Sequence, residues 1–177
     1  MSRIGKKGIA IPEKTEVTVS NGVVSVKGPL GELSRPIPAV ITVSVDGSQV
    51  SLVRNVETLE SLALWGTTAS HIVNMVSGVN KPFERKLQLE GIGYKVEVKG
   101  GDVVLALGFS HPVVVAIPQG LTVVVEKNAI TISGIEKDKV GEFASRLRSL
   151  KKPEPYKGKG IRYAGEVVKI KQGKKSA

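Results

Sequence analysis

Apolar and polar positions alternate with a period of two through much of the chain, which is the pattern of strands that bury one face. Glu16-Val17-Thr18-Val19 and Val23-Val24-Ser25-Val26 flank Ser20-Asn21-Gly22. Asn-Gly is a strong turn signal, so the pair predicts a β-hairpin. A second hairpin is predicted from Val40-Ile41-Thr42-Val43-Ser44-Val45 and Gln49-Val50-Ser51-Leu52-Val53 around Asp46-Gly47-Ser48. Further strands are predicted at 94–98, 103–107, 113–117, 121–126 and 129–133, with Gly100-Gly101 and Lys127-Asn128 as turns. Two stretches switch to spacings of three and four. From Thr58 to Val76 the stripe is Leu59, Leu62, Ala63, Ala69, Ile72, Val73 and Val76; from Lys137 to Leu150 it is Val140, Phe143, Ala144, Leu147 and Leu150. Both are predicted as helices with these stripes turned to a core. Gly78 is the predicted stop of the first helix.

The two halves read as one unit written twice. Gly28 and Gly108 follow similar runs, 23–27 and 103–107, and Ile37-Pro38 returns 80 positions later as Ile117-Pro118. Val43 and Val45 correspond to Val123 and Val125, and Val50 and Leu52 to Ile130 and Ile132, at the same offset without a gap. The predicted fold class is therefore α+β: two tandem, similar domains, each an antiparallel β-sheet with one α-helix packed on a face, plus a basic C-terminal tail. The predicted domains are 1–81 and 82–177, with the boundary near Val79-Asn80-Lys81-Pro82 and a basic segment at 151–177.

Composition narrows the functional classes. The 177 residues are 41% hydrophobic, 24% charged and only 4% aromatic, which suits a folded protein with aliphatic, β-rich cores. There is no cysteine, which excludes disulfides, zinc fingers, iron–sulfur clusters and thiol catalysis. The basic opening Met1-Ser2-Arg3-Ile4-Gly5-Lys6-Lys7 lacks the apolar region of a signal peptide, and no window approaches the roughly 18 apolar residues of a membrane span. The expectation is a soluble intracellular protein with no membrane partner. His71 and His111 have no acidic or nucleophilic residue at a motif spacing, and Gly91-Ile92-Gly93 lacks the third glycine and the following helix of a dinucleotide fingerprint. Gly158-Lys159 is followed by Gly160 and is no P-loop. Glu57/Glu60 and Glu136/Asp138 sit at helix starts, where the dipole accounts for them. No enzyme, metal or cofactor is expected.

Charge changes the picture most. The net +10 is unevenly spread: residues 1–81 carry eight basic and six acidic groups, 82–150 nine and eight, and 151–177 nine and two. The last segment alone has a net of +7, so an anionic partner is expected there. Its core is Leu150-Lys151-Lys152-Pro153-Glu154-Pro155-Tyr156-Lys157-Gly158-Lys159-Gly160-Ile161-Arg162-Tyr163. The prolines predict a stiff, extended stretch, and Gly158 and Gly160 allow sharp turns and close approach to a partner. Ammonium groups, glycines and rings together suit a phosphate backbone. Gly91, Gly93, Tyr94 and Lys95 form a second candidate site; a β-bulge or tight bend at the strand entrance explains them equally well.

The run Pro153-Glu154-Pro155-Tyr156-Lys157-Gly158-Lys159-Gly160-Ile161 resembles the C-terminal motif of the large-subunit ribosomal protein L6 family in its bacterial form. The opening seven residues, Gly91-Ile92-Gly93-Tyr94-Lys95 and Arg162-Tyr163-Ala164-Gly165-Glu166-Val167-Val168 resemble it in the same order. Gly8 departs from the proline that the resemblance implies after the paired lysines, which bears on the stiffness of the N-terminal arm. The resemblance implies a duplicated α+β fold. It also implies binding to large-subunit (23S) ribosomal RNA near the stalk base and sarcin–ricin loop, with neighbouring ribosomal proteins and translational GTPases close by. The role would be assembly and stabilisation, without catalysis, in the cytoplasm. On that reading Lys152, Lys157, Lys159 and Arg162 contact phosphate, and Lys169, Lys171, Lys174 and Lys175 extend the cationic surface. Tyr156 and Tyr163 meet sugar or pack back on the sheet. Arg3, Lys6 and Lys7 rank below these. The alternative is a general nucleic-acid-binding protein or RNA chaperone outside the ribosome, which would bind unrelated duplexes as tightly.

Overall fold

A computed structural model describes residues 7–173. Arg3, Lys6, Lys174 and Lys175 therefore lie outside the described residues. The chain forms two compact units, one reaching to Pro82 and including Ile135–Lys137, the other made of Phe83–Gly134 and the chain from Asp138 onward.

The first unit contains β1 (Ile9–Ala10), β2 (Glu16–Ser20), β3 (Val23–Gly28), β4 (Gly31–Pro36), β5 (Ile41–Asp46), β6 (Gln49–Arg54) and helix α1 (Leu59–Asn80). Its strands form two antiparallel sheets, β2-β3-β4 and β1-β6-β5. The β2–β3 hairpin closes through Asn21 and Gly22, both left-handed at φ 50° and 73°, as a primed turn demands. Alternation then turns Val17, Val24, Val26, Ile41, Val43, Val50 and Leu52 into one core with α1. At Gly8, the Gln49 side chain stands where a Cβ would project.

Helix α1 departs from its predicted stripe. Trp65, Ala69, Ile72, Met75, Val76 and Val79 are buried, whereas Leu59 is 89% exposed and Ala63 and Val73 face outward. Trp65 sets the phase: its Nε1 donates to the Leu52 carbonyl at 3.0 Å, which satisfies a buried indole. The N-terminus is held by a reciprocal pair, Ser61 N to Thr58 Oγ1 and Thr58 N to Ser61 Oγ, each 3.1 Å. Nor does α1 stop at Gly78, which is buried within it. It continues because Val79 packs against Gly28, where any Cβ would stand 2.6 Å from the Val79 side chain.

The second unit contains β7 (Phe83–Glu90), β8 (Lys95–Lys99), β9 (Asp102–Ala106), β10 (Val113–Ala116), β11 (Leu121–Glu126), β12 (Ala129–Gly134), α2 (Lys137–Leu150) and β13 (Gly160–Tyr163). These form a three-stranded sheet, β10-β9-β8, and a four-stranded one, β11-β12-β7-β13. Helix α2 buries Val140, Phe143, Ala144 and Leu147 in a core with Leu87, Leu89, Leu105, Ile130, Ile132 and Ile161. Strands β5 and β6 recur as β11 and β12 with bounds shifted by 80 residues. Each half thus has two small sheets rather than one. The repeat breaks at β13, which adds an outer strand beside β7; in the first unit β1 holds the place of β7, and among the described residues no strand pairs beyond it.

Candidate nucleic-acid interface

The basic stretch is not the open, extended loop its prolines predict. It leaves α2, turns back on itself and re-enters the sheet as β13, whose Ile161 is completely buried. Glu154 N donates to the Lys159 carbonyl at 2.9 Å and Gly158 N to the Glu154 carbonyl at 3.0 Å, so residues 154–159 close a short ring through the Pro155-Tyr156-Lys157 turn. Ile161 N donates to the Lys151 carbonyl at 2.8 Å and ties the two stems together.

This closure separates the predicted contact residues into two groups. Lys152, Tyr156 and Lys157 are exposed, and Lys159 is half-buried. Lys169 and Lys171 are exposed on the following segment, and Lys171 N donates to the Pro155 carbonyl at 2.7 Å. That bond lays the tail across the loop and puts Lys171 beside the Tyr156-Lys157 turn. Four lysines, 152, 157, 169 and 171, therefore present ammonium groups to solvent around one small backbone frame.

The second group serves the frame itself. Gly158 is buried, and Gly160 lies against backbone: a Cβ there would stand 2.7 Å from the Lys152 carbonyl oxygen and 2.8 Å from that of Lys151. The close approach its glycine permits is to its own chain. Arg162 pairs with Glu90, and its Nε is buried with no hydrogen-bond partner among the described residues. Tyr163 is half-buried against the core, under the Arg148 guanidinium, whose carbon lies 5.6 Å from the ring centre. Of the two alternatives for Tyr163, packing on the sheet is the one observed.

The second candidate site divides in the same way. The Tyr94 ring covers Gly91, with ring carbons 2.5–2.8 Å from where a Cβ would be, and also packs on the core. Gly91 and Gly93 sit at a bend before β8 while Lys95 is exposed; Ile92, between the glycines, is 91% exposed.

Three residues that the sequence pattern did not single out hold this region. Lys151 Nζ lies 4.8 Å from the Phe109 ring centre. Arg148, at the end of α2, reaches Glu166 with two nitrogens, Nε to Oε2 at 3.0 Å and the second to Oε1. Glu166 Oε2 also accepts from Tyr163 N at 3.0 Å. The Arg148 guanidinium, and then the Tyr163 N–H, hold the Glu166 carboxyl below its ordinary value, and the same carboxylate raises Arg148. The available signal was Glu166 itself, one of two acidic residues among nine basic ones. Among the described residues no group of three or more metal-ligating side chains occurs, and no helix is long and apolar enough to cross a membrane.

Comparison with known proteins covers nearly the whole chain. The family model for ribosomal protein L6 matches twice, at residues 11–81 and 90–164. The chain is 48% identical to the large ribosomal subunit protein uL6 of Desulfatibacillum aliphaticivorans, across the full length of both. It is 48% identical to that of Alkaliphilus metalliredigens, covering 98% of each chain. It is 47% identical to that of a Nostoc species, covering 98% of this chain and 96% of the relative. With both repeats matched and identity sustained from end to end, the chain belongs to the ribosomal protein L6 family.

Proposed function

We propose that the chain is a structural, non-catalytic constituent of the large ribosomal subunit in the cytoplasm. It binds large-subunit ribosomal RNA through the loop and tail of its second unit. Its place is near the stalk base and the sarcin–ricin loop, beside other ribosomal proteins and where translational GTPases act. The observation that carries this reading is the frame built by residues 151–171: backbone hydrogen bonds fix a loop and a tail together, and Lys152, Lys157, Lys169 and Lys171 on that frame are all exposed. Fixed ammonium groups meet a phosphate backbone at a smaller entropic cost than a loose basic tail does. The names of the relatives support the same assignment, and the near balance of charge before residue 151 leaves this surface as the strongest anion attractor in the sequence.

Sucrose-gradient sedimentation of cell extract at low and high salt tests the proposal. Comigration with the large subunit at both salts is expected. Release into light fractions at both would overturn it and leave a free nucleic-acid binder or RNA chaperone, which would also bind unrelated duplexes as tightly as ribosomal RNA.

A further inference from the structure

A carboxylate in the most cationic stretch of an RNA-binding chain opposes the binding unless it does something else. Glu166 sits between β13 and the tail that carries Lys169 and Lys171. Each of its oxygens is engaged: Oε1 by Arg148, Oε2 by Arg148 Nε and by Tyr163 N. The Tyr163 N–H belongs to the outer edge of β13, and the Arg148 side chain both pairs with the carboxylate and lies over the Tyr163 ring. About a quarter of each partner's side chain is exposed, so the pair is shielded on most sides. Two residues before it, Ala164 N donates to the Lys86 carbonyl at 2.9 Å; five residues after it, Lys171 N reaches Pro155. The turn at Glu166 thus sets the direction in which the chain leaves the sheet.

We propose that Glu166 is a positioning residue for RNA binding, a clip that fastens the tail to the end of α2 and to the edge of β13 so that Lys169 and Lys171 join Lys152 and Lys157 on one surface. This rests on the RNA-binding reading above. Its signature is one of sign. If Glu166 acted only through its charge, removing it would tighten binding to a polyanion. As a clip, its removal weakens binding although the chain becomes more positive. With the tail no longer held against the loop, Lys169 and Lys171 do not reach the phosphate backbone in the complex and the dissociation constant rises. Loss of two phosphate contacts also lowers the salt slope by about 1.4–1.8.

The test is filter binding of the full chain to in vitro transcribed large-subunit ribosomal RNA over a range of salt, with an unrelated duplex RNA as control. Glu166→Gln keeps the shape of the side chain, and circular dichroism checks that it folds. Arg148→Lys is the second variant: it holds the net charge constant while removing the two-pronged contact, so it gives the answer even if Glu166→Gln does not fold. Both are expected to bind more weakly with a reduced salt slope. The double variant Arg148→Gln/Glu166→Gln should bind no worse than Glu166→Gln alone, because the two residues act as one device. Equal or tighter binding by the single variants, weaker binding with an unchanged slope, or additive losses in the double variant would each overturn the clip. Failure of the unsubstituted chain to prefer ribosomal RNA over the duplex would instead overturn the RNA-binding reading, and is seen before any variant is made.

Discussion

Gly160→Ala is the sharpest test of how the basic loop is built. Gly160 has φ +144°, a backbone conformation that residues with a Cβ avoid. The added methyl would stand 2.7 Å from the Lys152 carbonyl oxygen, 2.8 Å from the Lys152 carbonyl carbon and 2.8 Å from the Lys151 carbonyl oxygen. All three are backbone atoms, so no side chain can swing aside. Relief requires moving the 151–152 stem, which breaks the 2.8 Å bond from Ile161 N to Lys151 and disturbs a strand whose Ile161 is fully buried. The conformational penalty is about 1–3 kcal/mol. Forcing a methyl into a filled space costs about as much again. The expected loss is therefore about 2–6 kcal/mol, a large part of the roughly 5–15 kcal/mol that holds a domain folded. Gly158→Ala is the matched control, since Gly158 also has positive φ, +69°, yet nothing lies within 4 Å of its added Cβ. It should lose about 1 kcal/mol. Urea unfolding followed by circular dichroism measures both. Near-equal losses would refute the claim that Gly160 is set by its contact with the 151–152 backbone. An RNA-binding defect in Gly160→Ala at undiminished stability would restore the reading that this glycine admits a partner.

Other expectations follow from single contacts. Lys157→Ala/Lys159→Ala should flatten the salt dependence of RNA binding by up to about 1.4–1.8, less if half-buried Lys159 stays off phosphate; an unchanged slope in filter binding would show that neither lysine touches it. Trp65→Phe leaves the Leu52 carbonyl without its buried donor and should cost about 1–3 kcal/mol in urea unfolding. Glu166→Gln should lower stability by about 0.5 kcal/mol at neutral pH, as befits a partly exposed pair. Because the folded carboxyl is held below its unfolded value, that contribution is full above the unfolded value and fades as pH falls through the folded one. Thermal melts of the two proteins should therefore converge in acid; a gap that persists there would assign the effect to something other than ionisation.

The hairpins were legible because turn chemistry and alternation agree locally: Asn21-Gly22 closes β2–β3, and the 80-residue offset maps β5–β6 onto β11–β12. Of the strands that escaped notice, β4 pairs locally with β3 but alternates only half-buried and exposed positions, whereas β7 and β13 depend on partners far away in the sequence. In β7, the run Glu84-Arg85-Lys86 hides an alternation that only Leu87 and Leu89 display, although pairing on both sides makes it central. In β13 only Ile161 signals burial, inside a stretch whose lysines invite reading as a tail. The stripe on α1 was misphased because the bulky Trp65, polar Thr68 and flexible Met75 share the buried face, while Leu59 stands almost fully exposed. At the site, the basic segment itself was legible from charge. The division of labour within it was not, since Gly160, Arg162 and Tyr163 are committed by contacts with residues 8–72 positions away.

Because β13 lies beside β7 yet follows it by some 70 residues, the order of synthesis matters to the second unit. A chain growing from its N-terminus completes β7, β11, β12 and α2 before Gly160–Tyr163 has been made. Until then Leu87 and Leu89 lack one neighbour and the lysine loop has no second stem, so it cannot hold its shape. The loop that carries Lys152 and Lys157 closes at the same moment as the last edge of the sheet forms. Completion of the sheet and closure of the lysine loop are thus one event.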